Sequence, residues 1–356
     1  MESPFTRDKV TWLAYALLGY FAYQVNTIGP LMPFLRAELG LSFAEGSLHL
    51  SASAGGMIGV SLLADRLARR FGRRYTLWGG AVGMVAGTLL LVAGHHPVVT
   101  IAGALLTGFP GGLLLVMIQA ILSDHHGDRR AIALTEANVL AALTTMFAPA
   151  LIGGFERIGI GWRAALLLSI AGAALIATVY HRVLLPLPKR VEADAMYKNR
   201  GLPAVYWAYW GMLLLLVATE ISVVAWGADF LVASLEFARA DAVTTMSVLL
   251  AAIFVGRLVG SRLARRFETR TLLLGAILLS LIAFLLLWRS ALVPLTIACL
   301  ALTGLGLANL YPLTVTLAVG AAPADADRAS ARASVATGIA IAAVPLLLGW
   351  IADRIG

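Results

Sequence analysis

Eleven long apolar runs cover most of the chain, at 10–34, 45–66, 75–94, 97–123, 131–154, 162–185, 204–233, 240–262, 271–288, 291–319 and 329–351. A helix needs roughly 20 apolar residues to cross a bilayer core, and most of the runs reach that length. Short turns bearing charge, proline or glycine separate most of them. The longest polar connection, PLPKRVEADAMYKNRGLP at 186–203, is bracketed by proline. The pattern predicts an all-α polytopic membrane protein with a linker at 186–203 between two halves, 1–185 and 204–356.

The halves repeat. Arg66 to Phe71 reads RLARRF, and so does Arg262 to Phe267, 196 residues later. The same offset carries Phe34-Leu35 to Phe230-Leu231, Thr107-Gly108 to Thr303-Gly304, Pro149 to Pro345 and Gly153 to Gly349. A single register over five helices predicts two pseudo-symmetric bundles, each built on a six-helix plan. The mate of the sixth helix would lie beyond Gly356. The expectation is therefore eleven visible spans, with the second bundle cut at five helices.

Composition strengthens the membrane reading: 60% of residues are hydrophobic and 13% charged, against about 25% charged in soluble domains. The net charge of +8 sits in loops flanking the spans, which argues against a nucleic-acid partner and for the lipid bilayer. With the N-terminus inside, twenty of the 27 Lys and Arg residues fall on the inner side, six on the outer side, and Arg257 within a span. That asymmetry predicts a cytoplasmic N-terminus and a plasma membrane, taken as the bacterial inner membrane. The first run is too long for a signal h-region, so it is read as a span that also targets the chain. The single cysteine, Cys299, lies in an apolar run and leaves no intrachain disulfide. His95-His96 and His125-His126 lie in loops on opposite sides, without enough carboxylates or cysteines to make a metal site. No cofactor is expected.

Glu220 stands near the middle of the seventh run, in LLLLVATEISVVAWG. A carboxylate at that depth costs about 2.5–3.5 kcal/mol on insertion scales, so it should face a cavity or a partner. It is the candidate proton carrier; the plainer alternative is a neutral Glu in an interhelical hydrogen bond. Its repeat mate is Gln24, with Asn26 close by, and Trp226 lies six residues beyond Glu220. Glu136 and Arg332 form another repeat pair, about one turn inside the inner end of their spans. No clustered nucleophile and base is visible at membrane depth, so an intramembrane enzyme is not expected. A sensor would usually carry an added soluble domain, for which the chain has little room.

Ser61 to Arg70, SLLADRLARR, lies between the second and third runs. It resembles the loop signature G-x-L-A-D-R-x-G-R-[R/K] of the major facilitator superfamily. Both signature glycines are replaced, by Ser61 and Ala68, while Leu63, Ala64, Asp65, Arg66, Arg69 and Arg70 are kept. The resemblance implies a monomeric secondary transporter of a small solute, with alternating access and a substrate site between the halves near the midplane; symport with protons is the expectation that Glu220 adds. It also implies that helices one, four, seven and ten line the path. That makes Gln24, Asn26, Gln119, Trp226, Asn309 and Tyr311 substrate-binding candidates. It further implies that helix five packs on helix eight, and helix eleven on helix two. Glu136 would then meet Arg257, and Arg332 would meet Asp65, as an inner latch beside Arg66, Arg69 and Arg70. The family's drug-antiporter motif is imperfect in Ala148-Pro149-Ala150-Leu151-Ile152-Gly153-Gly154. Multidrug efflux is accordingly the alternative within transport, and a non-transporting sensor the alternative outside it.

Overall fold

The computed structural model describes residues 5–61, 63–186, 201–290 and 292–355. Most of the expected linker, 187–200, lies outside them, as does the side chain of Asp65. The chain divides into two compact units, Met1–Glu192 and Ala193–Gly356. Among the described residues there are helices and no strands.

The first unit contains α1 (Lys9–Leu39), α2 (Phe43–Ser61), α3 (Ala64–Phe71), α4 (Arg73–Ala93), α5 (Pro97–His126), α6 (Arg130–Arg157) and α7 (Arg163–Tyr180). The second contains α8 (Ala204–Leu235), α9 (Arg239–Leu263), α10 (Thr269–Arg289), α11 (Val293–Leu307), α12 (Leu310–Gly320) and α13 (Ala326–Ile355). Eight described segments are long and apolar enough to cross a membrane, and one of these, Pro97–Arg157, joins α5 and α6 through a short 3-10 turn. The all-α polytopic expectation holds.

The internal repeat is a repeat of packing. α5 lies on α2 and α4 in the first unit, as α11 lies on α9 and α10 in the second. Likewise α1 packs on α6, and α8 on α13. The equivalence reaches single residues. A Cβ on Gly108 would fall into the backbone of Ser53; one on Gly304 would meet Leu249 O at 2.5 Å and Ala252 Cβ at 2.8 Å. Residues 249 and 304 are 53 and 108 plus the repeat offset of 196. One step along, the small partner changes sides. Gly112 packs on Val60 in the first unit, and Gly256 receives Ala308 in the second. Small residues let membrane helices approach closely where no hydrophobic effect drives them together.

Proline acts differently at two of its positions. α5 runs unbroken through Pro110. The tenth apolar run instead divides at Ala308-Asn309 into α11 and α12. Pro312 lies four residues after Ala308, where its ring crowds the Ala308 carbonyl and offers it no N–H.

Side chains fasten the N-terminal end of α1. The Asp8 carboxylate accepts hydrogen bonds from Thr11 N–H (3.0 Å) and Thr11 Oγ1 (2.8 Å), capping the helix, and lies 2.8 Å from His125 Nε2. Burial alone would raise the Asp8 pKa, but the Thr11 bonds and His125 outweigh it and hold the carboxyl below its ordinary value. A depressed carboxyl stabilises the fold above its unfolded pKa, near 4, and that contribution is lost as pH falls through the lower native value. Asp8→Ala should cost about 1 kcal/mol of stability. Thermal melts of wild type and variant should differ at neutral pH and converge below about pH 4.

Candidate functional site

α8 begins after Pro203 and ends at Glu236, whose backbone is left-handed (φ 54) and whose N–H bonds Leu231 O. Within it Glu220 and Gly227 are seven residues apart and so share a face. A Cβ on Gly227 would strike Met246 of α9, Sδ at 2.8 Å. Met246 and Arg257 are eleven residues, or about three turns, apart on α9. Two antiparallel helices in this register bring Glu220 to Arg257, and Arg257 Nη2 lies 3.6 Å from Glu220 Oε1. The Glu220 side chain is mostly covered, at 18% exposed, and Arg257 is half exposed. The two charges attract without a tight hydrogen bond.

This pair was not anticipated from the sequence, although a signal existed. Glu220 and Arg257 stand at similar distances before and after the turn near residue 237, hence at similar depth. Opposite charges at equal depth on consecutive antiparallel helices are natural partners.

Gln24, the repeat mate of Glu220, is 2% exposed in α1. Its Nε2 donates to Tyr20 OH (3.2 Å) and to Thr88 Oγ1 of α4, and its Oε1 accepts from Ser169 Oγ of α7 (3.1 Å). The amide is thus a polar node joining three helices of the first unit. Asn26 Nδ2 bonds Ala22 O of its own helix at 2.8 Å. Gln119 is exposed on α5, Trp226 is half-buried on α8, and Tyr311 is 37% exposed on α12. Asn309 sits in the α11–α12 break, where its Nδ2 bonds Gly256 O of α9 at 2.8 Å. A Cβ on Gly260 would collide with the Asn309 amide. Asn309 therefore seals the break against α9.

The latch candidates have partners inside their own units. Arg7 grips Glu136 with two hydrogen bonds, Nε at 2.8 Å and Nη2 at 2.6 Å, and Tyr15 OH adds a third at 3.0 Å. Arg332 lies over the Trp207 ring at 5.3 Å, and its carbonyl accepts from Trp210 Nε1 at 2.8 Å. The repeat mates Glu136 and Arg332 thus tie α6 to α1 and α13 to α8 at equivalent places. Arg66, Arg69 and Arg70 are exposed on α3. His49 was passed over in the sequence; it is fully buried in α2, with Nε2 2.8 Å from Thr100 Oγ1 of α5.

A cleft of about 330 Å³ opens between α1, α6 and α7, lined by residues that include Gly19, Tyr20, Tyr23, Phe147 and Ser169. Its tyrosine hydroxyls are engaged elsewhere, Tyr20 with Gln24 and Tyr23 with Ala165 O. It offers a solute few polar partners.

The chain and its fold are similar to known proteins. An uncharacterised MFS-type transporter of Yersinia pestis is 26% identical over 335 residues, covering 91% of this chain and 84% of that protein. The multidrug resistance protein MdtL of Klebsiella pneumoniae (strain 342) is 31% identical over 147 residues. That match takes in 41% of this chain and only 37% of MdtL. Among solved structures, a bacterial homologue of the human lysosomal transporter Spinster, inward-facing and occupied, superposes with a TM-score of 0.79 at 15% identity, over 99% of this chain and 83% of that one. A D-xylose-proton symporter gives 0.74 at 16% identity, over 96% and 89%. These likenesses fix the fold. The sequence model of the Major Facilitator Superfamily matches residues 12–201 and 204–356, nearly the whole chain, and so the protein belongs to that superfamily.

Proposed function

We propose that the protein is a secondary active transporter that moves a small organic solute across the membrane by alternating access, coupled to protons through Glu220. The observation that carries this reading is the Glu220–Arg257 pair at 3.6 Å, with Glu220 near the middle of α8. At an effective dielectric of 20 their attraction is about 5 kcal/mol. Holding a carboxylate alone at that depth costs roughly 2.5–3.5 kcal/mol on insertion scales, and Arg257 keeps its charge whether or not Glu220 is protonated. The arginine beside it is therefore what offsets the cost of a charged Glu220. A proton carrier needs such a partner, one that can come and go. Protonating Glu220 would release Arg257, and deprotonation would recapture it.

The bacterial relatives support a bacterial inner membrane, and the distribution of arginines supports an N-terminus on the cytoplasmic side. The protein acts as a monomer in this reading, with 1–185 and 204–356 as its two halves. Gln24, Asn26, Gln119, Trp226, Asn309 and Tyr311 remain its proposed solute contacts. Gating by Asp65, Arg66, Arg69, Arg70, Glu136, Arg257 and Arg332 belongs to the same proposal. Glu136 must first leave Arg7, and Arg257 must leave Glu220, before either takes another partner.

A thermal-shift screen of purified protein tests the reading, using sugars, nucleosides and cationic dyes at acidic and neutral pH. A solute should stabilise the wild type in a pH-dependent way, and Glu220→Gln should lose that dependence. Identical behaviour of the two proteins would reduce Glu220 to a structural hydrogen-bonding group. Multidrug efflux is the second reading, favoured by the partial match to MdtL. Stabilisation by several unrelated cationic dyes, and by no sugar or nucleoside, would select it.

A further inference from the structure

α3 is an eight-residue helix between two long ones, with the sequence ADRLARRF. Its Leu67 and Phe71 are four residues apart and share a face. With Tyr75, Thr76 and Gly79 of α4 and Leu113 of α5 they line an open pocket of about 260 Å³. Arg66 and Arg70 form the neighbouring strip, exposed, with the Arg70 guanidinium 5.4 Å from the Phe71 ring. Neither Arg66 nor Arg70 makes an ion pair among the described residues. Their neighbours are occupied: Arg73 bonds Asp124 and Pro186 O, and Arg74 bonds His181 O. Those two brace α4, while Arg66 and Arg70 face outward.

The apolar side of this elbow is exposed as well, with Phe71 at 52% and Tyr75 at 76%. Aromatic rings beside arginines, on a short amphipathic helix at the end of membrane spans, belong at the lipid–water interface. The repeat keeps the combination. Phe267, the mate of Phe71, is 54% exposed beside exposed Arg265 and Arg266. It does so in a turn after α9 rather than in a helix, so the chemistry is retained where the local fold is not.

We propose that the α3 elbow binds an anionic phospholipid of the leaflet on the side of the basic loops. Arg66 and Arg70 take the phosphate, since guanidinium forks match phosphate oxygens. Leu67, Phe71, Tyr75 and Leu113 hold the glycerol backbone and the start of an acyl chain. A water-soluble phosphate would use the arginines and leave the apolar pocket bare, and a zwitterionic lipid would fill the pocket but set its own cation against the two arginines. Arg66 and Arg70 also stand in the gating proposal, but lipid binding in detergent is read without transport and so is decided separately.

The test is a titration of the delipidated full-length protein in detergent, followed by native mass spectrometry. The probes are phosphatidylglycerol, phosphatidylcholine with the same chains, and glycerol 3-phosphate. Wild type should bind phosphatidylglycerol more tightly than phosphatidylcholine. Arg66→Gln with Arg70→Gln should weaken phosphatidylglycerol about thirtyfold, from roughly fivefold per interfacial cation, and weaken phosphatidylcholine much less. Arg66→Lys with Arg70→Lys should keep the preference, and Phe71→Ala should weaken both lipids together. If the double Gln variant does not fold, the Lys and Ala variants still decide. Equal binding of the two lipids by wild type would overturn the proposal. So would a preference untouched by the Gln substitutions, or displacement of phosphatidylglycerol by glycerol 3-phosphate.

Discussion

Gly108→Leu should prevent the first unit from assembling, while Gly55→Ala should leave it intact. The two glycines look alike in the sequence, but their surroundings differ. Nothing lies within 4 Å of a Cβ on Gly55, whereas a Cβ on Gly108 would overlap the Ser53 backbone. A flexible side chain could move aside, but the backbone of α2 can do so only by pulling the whole helix off α5. Overpacking a core costs typically 1–3 kcal/mol, and displacing a helix should exceed about 3 kcal/mol, a large part of the 5–15 kcal/mol that holds a domain together. Gly304→Leu should do the same to the second unit, because Leu249 O and Ala252 occupy the equivalent space. The check is yield of monodisperse protein and melting temperature in detergent. A Gly108→Leu protein that melts like wild type would mean that α2 and α5 are not in contact at this point.

The second large effect concerns Arg257. Arg257→Gln should destabilise the protein and abolish coupled transport, and the pair Glu220→Gln with Arg257→Gln should recover most of the stability without the transport. The single change leaves the mostly covered Glu220 without its cation, and an unpaired charge in such a place costs more than the pair contributes. Removing both charges leaves two amides that can bond one another across the same gap. Melting temperatures of the four proteins form a double-mutant cycle, whose coupling should reach about 1–2 kcal/mol, within the range for residues in contact. Half-exposure of Arg257 keeps the value below that of a dry ion pair. A coupling near zero would separate the two side chains energetically.

The repeat is where the sequence spoke most clearly. An offset of 196 set by RLARRF also relates Gly108 against Ser53 to Gly304 against Leu249, because duplicated helices keep their close approaches. Spans were readable because lipid demands long apolar stretches. Partners were harder to read. Gln24 announces a polar group that needs satisfying, yet Thr88 and Ser169 lie on other helices, far away in sequence, and periodicity does not say which threonine or serine will arrive. Proline was ambiguous for a related reason. Pro110 is accommodated inside α5, while Pro312 coincides with a break that Asn309 ties to α9 by bonding Gly256 O. The Arg7–Glu136 bond could have been found, since both fall on the inner side by the orientation rule and carry opposite charge.

Proton movement itself tests the central claim most directly. Wild type and Glu220→Gln would be reconstituted into proteoliposomes holding a pH-sensitive dye, and challenged with the solute that most stabilises the wild type. Solute-dependent proton flux in the wild type, absent in a Glu220→Gln protein that still binds the solute, is the predicted result. Solute movement with no proton flux in the wild type, or equal flux in both proteins, would contradict it.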